Sequence, residues 1–340
     1  MFQNEDTNNE IKRRTEGKIP YDTETLDFTT KLNDALLKLE EELLHKNLSE
    51  EYPNIFIIGQ SRSGTTLLSQ VLFNNLDLSC TDNLFAKFWK TPLCGAYLSK
   101  LALENRKSPS YESVYGRTGD VYSPNGFGWF WRNVLNIKSN DPNNPTSSSA
   151  GIDWKHLRSV IVNINHILGK GVIYKPAESL AILLKKFDAL FSKAIYIYIE
   201  RDLLDLAISL ANARIDYYSS VEALWWSALS PIPEEFKKLE NEPYEIQIAG
   251  QIFYINRMFE KSTEEIPQEK LIRIKYADLC SNPQLLLNKV KERIAGNSGF
   301  IINQVNTPPV LTASHPQIST DIRKKLSAGL NQFYGNTITD

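Results

Sequence analysis

The stretch NIFIIGQSRSGTTLLSQVLF, Asn54 to Phe73, constrains this chain more than any other. Its apolar, β-branched start reads as a buried strand, its glycine-flanked polar centre as a tight turn, and TTLLSQVLF as the opening of a helix. A helix entered this way starts with N–H groups that have no intrahelical partner. Around Ser63–Thr66 such groups can cradle a doubly charged anion, and Arg62 adds a full charge. A turn with ordinary Ser and Thr caps explains the stretch equally well when it is taken alone, so residues elsewhere must decide.

Three further apolar runs read as strands: GVIYKP (171–176), AIYIYIE (194–200) and LIRIKY (271–276). Helical patterns follow each: ESLAILLKKFDALF, DLLDLAISLANAR, and NPQLLLNKVKERI with Asn282 as N-cap and Pro283 in its first turn. Strands alternating with helices predict a parallel sheet covered on both faces, with ligands at the carboxyl ends of its strands. Those ends carry Gln60–Thr66, Lys175, Arg201 and Tyr276. With 340 residues and 42% hydrophobic content, the chain can bury one large core. We expect a polar tail over 1–22 and a single α/β domain over 23–340, with an insertion over about 80–170 that forms the acceptor pocket. Leucines from Leu26 to Leu44 predict an amphipathic helix packed on the body of that domain.

A net charge of −2 gives no global attraction to nucleic acid or anionic membrane, so any anion site is local. Cys80, Cys94 and Cys280 are too few and too scattered for a disulfide framework or a zinc site, and read as buried small hydrophobes. No segment is apolar enough to span a bilayer. The expectation is a soluble, cytoplasmic protein with a small-molecule partner, no nucleic acid and no membrane.

The spacing Gly59-x4-Gly64 matches a P-loop, but Thr65 stands where a nucleoside triphosphatase has its lysine. Arg201 directly after Glu200 opposes a magnesium ion. IERDLLDLAISLANAR then places Ser209 eight residues after Arg201, facing back toward the sheet edge, where both can hold a second anion. Two anion sites at two strand ends ask for a ligand with separated phosphates.

On these residues the chain resembles the sulfotransferase superfamily. FIIGQSRSGTTLLSQVL is similar to its 5′-phosphosulfate loop, YIERDLLDLAISL to its 3′-phosphate motif, and IKYADLCSNP to its segment near the adenine. The resemblance implies a P-loop-type sulfotransferase fold and 3′-phosphoadenosine 5′-phosphosulfate (PAPS) as donor, with no metal. It implies that Arg62, Ser63, Gly64, Thr65 and Thr66 hold the 5′-phosphate and sulfonate, that Arg201 and Ser209 hold the 3′-phosphate, and that Tyr276 lies by the nucleoside. Lys175 would reach the bridging oxygen at the reacting centre. In TASHPQISTDIRKKL, Ser314 and Arg323 are candidates for a segment that returns to the 3′-phosphate.

Leu203 replaces the family's usual proline, and Asn125 and Gly126 in SPNGFGWFW stand where some bacterial members have His and Glu. A transferred sulfonate still requires a base for the acceptor. Relatives carry a carboxylate shortly after the first helix; Asp82 is expected there, although Asn83 can fall on the same column. Asp120 and His315 are the alternatives, while His156 and His166 read as structural. Phe127, Trp129, Trp131, Trp225 and Trp226 are core or pocket wall, and with Asp120 the first three are expected to bind the acceptor. Aromatic faces attract guanidinium and ammonium groups, so a nitrogen-rich alkaloid sulfated on oxygen or nitrogen is one candidate acceptor. Competing readings are a P-loop kinase without its lysine and a non-catalytic nucleotide-binding module. Oligomeric state is left open.

Overall fold

A computed structural model describes residues 22–103, 110–136, 151–223, 232–335 and 338. Trp225 and Trp226 lie outside them. Five parallel strands, β1 (Asn54–Ile58), β2 (Ser79–Cys80), β3 (Val172–Ala177), β4 (Ala194–Glu200) and β5 (Leu271–Lys275), form one sheet in the order β2-β3-β1-β4-β5. Crossovers leave β1 on one side toward β2 and β3 and on the other toward β4 and β5. The carboxyl end of β1 is therefore the switch point at which open α/β sheets bind ligands.

Every residue of β1 is buried, as a central strand covered on both faces requires. Phe56 and Ile58 point into one core, with Tyr174, Phe187, Phe191 and Tyr196. Ile55 and Ile57 point into the other, with Leu68, Val71, Ile195 and Ile197. In β3 the register against β1 slips: Phe56 pairs with Tyr174, but Ile58 pairs with Ala177. One extra residue is accommodated at Lys175–Pro176, where proline has no N–H to lose from the ladder. Such a bulge re-aims a side chain, here that of Lys175.

The helices are α1 (Thr23–Leu43), α2 (Thr65–Asn75), α3 (Pro92–Leu103), α4 (Gly128–Val134), α5 (Trp154–Leu168), α6 (Leu184–Leu190), α7 (Leu203–Tyr218), α8 (Tyr244–Glu264), α9 (Tyr276–Ser281), α10 (Pro283–Ser298) and α11 (Thr320–Tyr334). As expected, Asn282 caps α10, accepting from the Leu285 N–H. The pattern after β3 was expected to be helical from Glu178; it starts as a 3₁₀ turn and becomes α-helical only at Leu184. Strand β2 has only two residues, too few for a period to be read. Helices α8 and α11, which the sequence reading did not include, share a third core with α7 through Leu206, Leu210, Ile248, Ile252, Leu326 and Leu330. Helix α1 docks differently from its leucine pattern: Leu37 and Leu39 are exposed, while Asn33 is fully buried. The Asn33 amide donates to the Lys87 carbonyl and accepts from the Lys90 N–H, both at 2.8 Å. Glu40 accepts the first N–H groups of α3, Leu93 at 2.8 Å and Cys94 at 3.0 Å. All three cysteines are free and buried. Among the described residues no helix is long and apolar enough to cross a membrane.

Candidate anion site and the cavity beside it

The turn after β1 closes on itself before it offers anything to a ligand. Ser63 donates its N–H at 3.1 Å and its hydroxyl at 2.7 Å to the Gln60 carbonyl. Arg62 has φ 74° and Gly64 φ 104°, both in the left-handed region that non-glycine residues rarely occupy. A Cβ on Gly64 would stand 2.5 Å from the Tyr276 ring. Glycine is required there by conformation and by the close approach of Tyr276. From Gly64 the chain enters α2, whose first N–H groups and positive dipole end face the turn.

The end of β4 meets this turn directly. One Arg201 nitrogen donates to the Arg62 carbonyl at 3.0 Å, another donates to the Ser314 carbonyl, and the guanidinium stacks 4.6 Å from the Tyr276 ring centroid. Ser314 donates its N–H to the Tyr276 hydroxyl at 3.3 Å. The Arg62 Nε–H donates to the Ser209 hydroxyl at 3.1 Å. Arg62, Ser63–Thr66, Arg201, Ser209, Tyr276 and Ser314, scattered over the sequence, thus share one neighbourhood. Burial, reinforced by the Arg201 charge, lowers the Arg62 pKa from its ordinary value. Two guanidinium groups held this close make a site that favours anions. Arg323 lies in the first turn of α11. His315 sits beside Asp205, Nδ1 to carboxylate at 2.8 Å.

Lys175, carried over by the β3 bulge, donates from Nζ to the Thr66 hydroxyl at 2.7 Å. Burial first, and the Arg62 charge second, lower its pKa to about 8. Gly126 lies against it: a Cβ there would be 3.1 Å from Lys175 Cε and 3.6 Å from Nζ. A side chain at Gly126 would crowd the Lys175 stem, so glycine lets the two pack closely.

A cavity of about 750 Å³ extends from this point. Ser61, Arg62, Thr65, Thr66, Lys175 and Ala177 line one end; Asn83, Asn125, Gly126, Trp89 and Trp129 line a wall; Asp22, Thr25 and Thr29 of α1 line another. The segment Tyr115–Val121 also lines it, as do Tyr217 and Tyr218. Tyr115 sits 4.9 Å below the Arg62 guanidinium and donates its hydroxyl to Asp216. Nothing in the local pattern of Tyr115 distinguishes it from a core aromatic.

The expected acceptor residues divide. Asp120 and Trp129 line the cavity. Phe127 and Trp131 do not: they are 1% and 0% exposed and belong to the core, Phe127 stacked on Phe130 at 4.5 Å. Asp82 is fully buried. Its carboxylate accepts the Phe85 N–H at 2.7 Å and the Ser99 hydroxyl, and burial raises its pKa. It caps a turn and is not among the residues of the cavity wall. Its neighbour Asn83 is, and so is Asn125. The Asn125 amide donates to Asn83 at 2.6 Å, and Asn83 in turn donates to the carbonyls of Thr118 at 3.1 Å and Asp120 at 2.6 Å. The two amides pin the segment around Thr118–Asp120, and the carboxylates among the cavity's lining residues are Asp22 and Asp120. His166 bonds the Ser49 carbonyl at 2.9 Å and is not among the residues that line the cavity.

No family model matches the chain, and neither does any curated protein. Solved structures do. Sulfotransferase STF1 from Mycobacterium tuberculosis H37Rv aligns over 90% of this chain and 79% of its own, at 14% identity and a TM-score of 0.51. Sulfotransferase STF9 from Mycobacterium avium aligns over 89% and 73% at 13% identity and TM-score 0.46. The sulfotransferase domain from the curacin biosynthetic pathway aligns over 72% and 74% at 14% identity and TM-score 0.40. At such identity the likeness to STF1 speaks for the architecture, and the chain has an α/β sulfotransferase fold.

Proposed function

We propose that the protein is a PAPS-dependent sulfotransferase acting on a hydroxyl or amine of a small metabolite. The observation that carries this reading is the convergence of three strand ends on one anion turn. Arg201 after β4 bonds the Arg62 carbonyl at 3.0 Å, and Lys175 of β3 bonds Thr66 at 2.7 Å. The donor fits the residues present: the Gly64 position has no room for a Cβ, and Arg201 keeps a buried Nε without a partner.

When bound, PAPS supplies an activated sulfonate joined to phosphate through a bridging oxygen. Gly64, Thr65 and Thr66 offer their N–H groups, with the α2 dipole, to the 5′ end. Lys175, oriented by Thr66, holds a proton where negative charge grows on the leaving phosphate, and Arg62 adds to it. Arg201 and Ser209 hold the 3′-phosphate. We assign the base to Asp120, since Asp82 is buried with its oxygens engaged. The wall of Trp89, Trp129 and Tyr217 suits an apolar or aromatic acceptor better than a cationic alkaloid, because Lys90, Arg132 and Arg117 already lie over those three rings.

Calorimetry with 3′-phosphoadenosine 5′-phosphate (PAP) and with MgATP tests the reading. The expected result is metal-independent binding of PAP, weakened at least tenfold in Arg201→Ala, since a lost charge-assisted bond is worth about 1.5–3 kcal/mol. Preference for MgATP would instead indicate the kinase. PAP binding without turnover across an acceptor screen would indicate the non-catalytic module.

A further inference from the structure

Glu178 follows Lys175, Pro176 and Ala177 at the end of β3, and the sequence reading gave it no role. It is 2% exposed. One carboxylate oxygen accepts the Ser61 N–H, and the other accepts the Ser61 hydroxyl at 3.0 Å. Its neighbour Ala177 is held at φ 48°, ψ −117°, a conformation that a non-glycine residue keeps only where its surroundings impose it. Ser61 and Ala177 border the same cavity end as Arg62, Thr66 and Lys175.

A buried carboxylate beside an anion-binding turn opposes the binding of that anion. A glycine-flanked turn running into a helix also offers a continuous row of donors, along which a small anion has more than one place to sit. We propose that Glu178 is a positioning residue for the donor. By engaging both Ser61 donors it removes the first part of that row and directs the ligand's charge to Gly64–Thr66, in line with Lys175. This inference rests on the donor-binding reading above.

The test compares wild type, Glu178→Gln and Ser61→Ala as full chains, with thermal melts confirming that each is folded. PAP affinity is measured by calorimetry, and inorganic sulfate is titrated as a competitor. In Glu178→Gln the amide oxygen keeps the Ser61 N–H, while the NH₂ donates to the Ser61 hydroxyl, whose own proton then turns to the ligand side. PAP binding is expected to weaken at least tenfold while competition by sulfate strengthens at least fivefold. Ser61→Ala removes only the hydroxyl and is expected to weaken PAP about threefold without strengthening sulfate. Sulfate and PAP weakening together in Glu178→Gln, or both staying within twofold of wild type, would overturn the inference while leaving the donor reading intact. Wild-type protein that binds no PAP would overturn both.

Discussion

The two ends of the cavity are built differently. At the proposed donor end, the cationic and polar side chains hang from strand tips or from the first turns of the helices that follow. Arg62 and Thr66 follow β1, Lys175 belongs to β3, Arg201 follows β4 and Tyr276 follows β5. At the acceptor end, the wall comes from the turn after β2, the segment 114–129 and one face of α1, with little regular structure between them. Backbone ladders fix the donor end. Side-chain bonds such as Asn125 to Asn83 at 2.6 Å fix the acceptor end. Changes at the donor end should therefore alter charge and leave the frame standing, whereas changes at the acceptor end should loosen the frame as well.

Lys175→Met should show this contrast most strongly. Turnover is expected to fall about 10²–10³-fold through loss of charge stabilisation, yet the protein should melt higher at pH 7. The sign follows from the folded pKa of about 8 against an ordinary 10.5. Below about 8 the buried ammonium costs stability, and that cost lifts as pH rises from about 8 toward 10.5. The melting advantage of the variant should shrink across that window, and a variant that melts lower at pH 7 would contradict the assignment.

Asp120 and Asp82 separate chemistry from framework. Asp120→Asn is expected to lower turnover about 10²-fold with PAP affinity nearly unchanged. Asp82→Asn should reduce folding stability by about 1–3 kcal/mol while the folded fraction keeps its rate. Denaturant melts and rates normalised to folded protein distinguish them; the reverse pattern would return the base to Asp82.

In wild type, kcat/KM for the donor should decline above about pH 8 as the Lys175 ammonium loses its proton. A profile flat to pH 9.5 would mean that this charge is not used. A smaller effect is expected of Tyr115→Phe, which keeps the ring under Arg62 but loses the bond to Asp216. About 1 kcal/mol, a fewfold rise in acceptor KM with donor KM unchanged, is the expected size.

Much of the donor end was legible in advance. The turn, Lys175, Arg201, Ser209 and Tyr276 were nameable from short-range patterns, as were four of the five strands, while Ser314 was named from the resemblance alone. The acceptor end was not. Asp82 carried the residue type of a base and lies in the core; Phe127 and Trp131 carried the look of a pocket wall and pack inside. Glu178 was overlooked in AESLAILL because its partner, Ser61, is 117 residues away.

The linear order of residues was enough to predict a tight turn between a buried strand and a helix, and a cationic strand tip to accompany it. Strand period, glycine conformation and helix-end donors operate within a few residues, so they survive being read without a fold. Which carboxylate faces the cavity, which is sealed in the core, and which grips the turn itself emerged only from packing. Burial and hydrogen-bond saturation depend on groups brought together from distant parts of the chain, and no local rule encodes them.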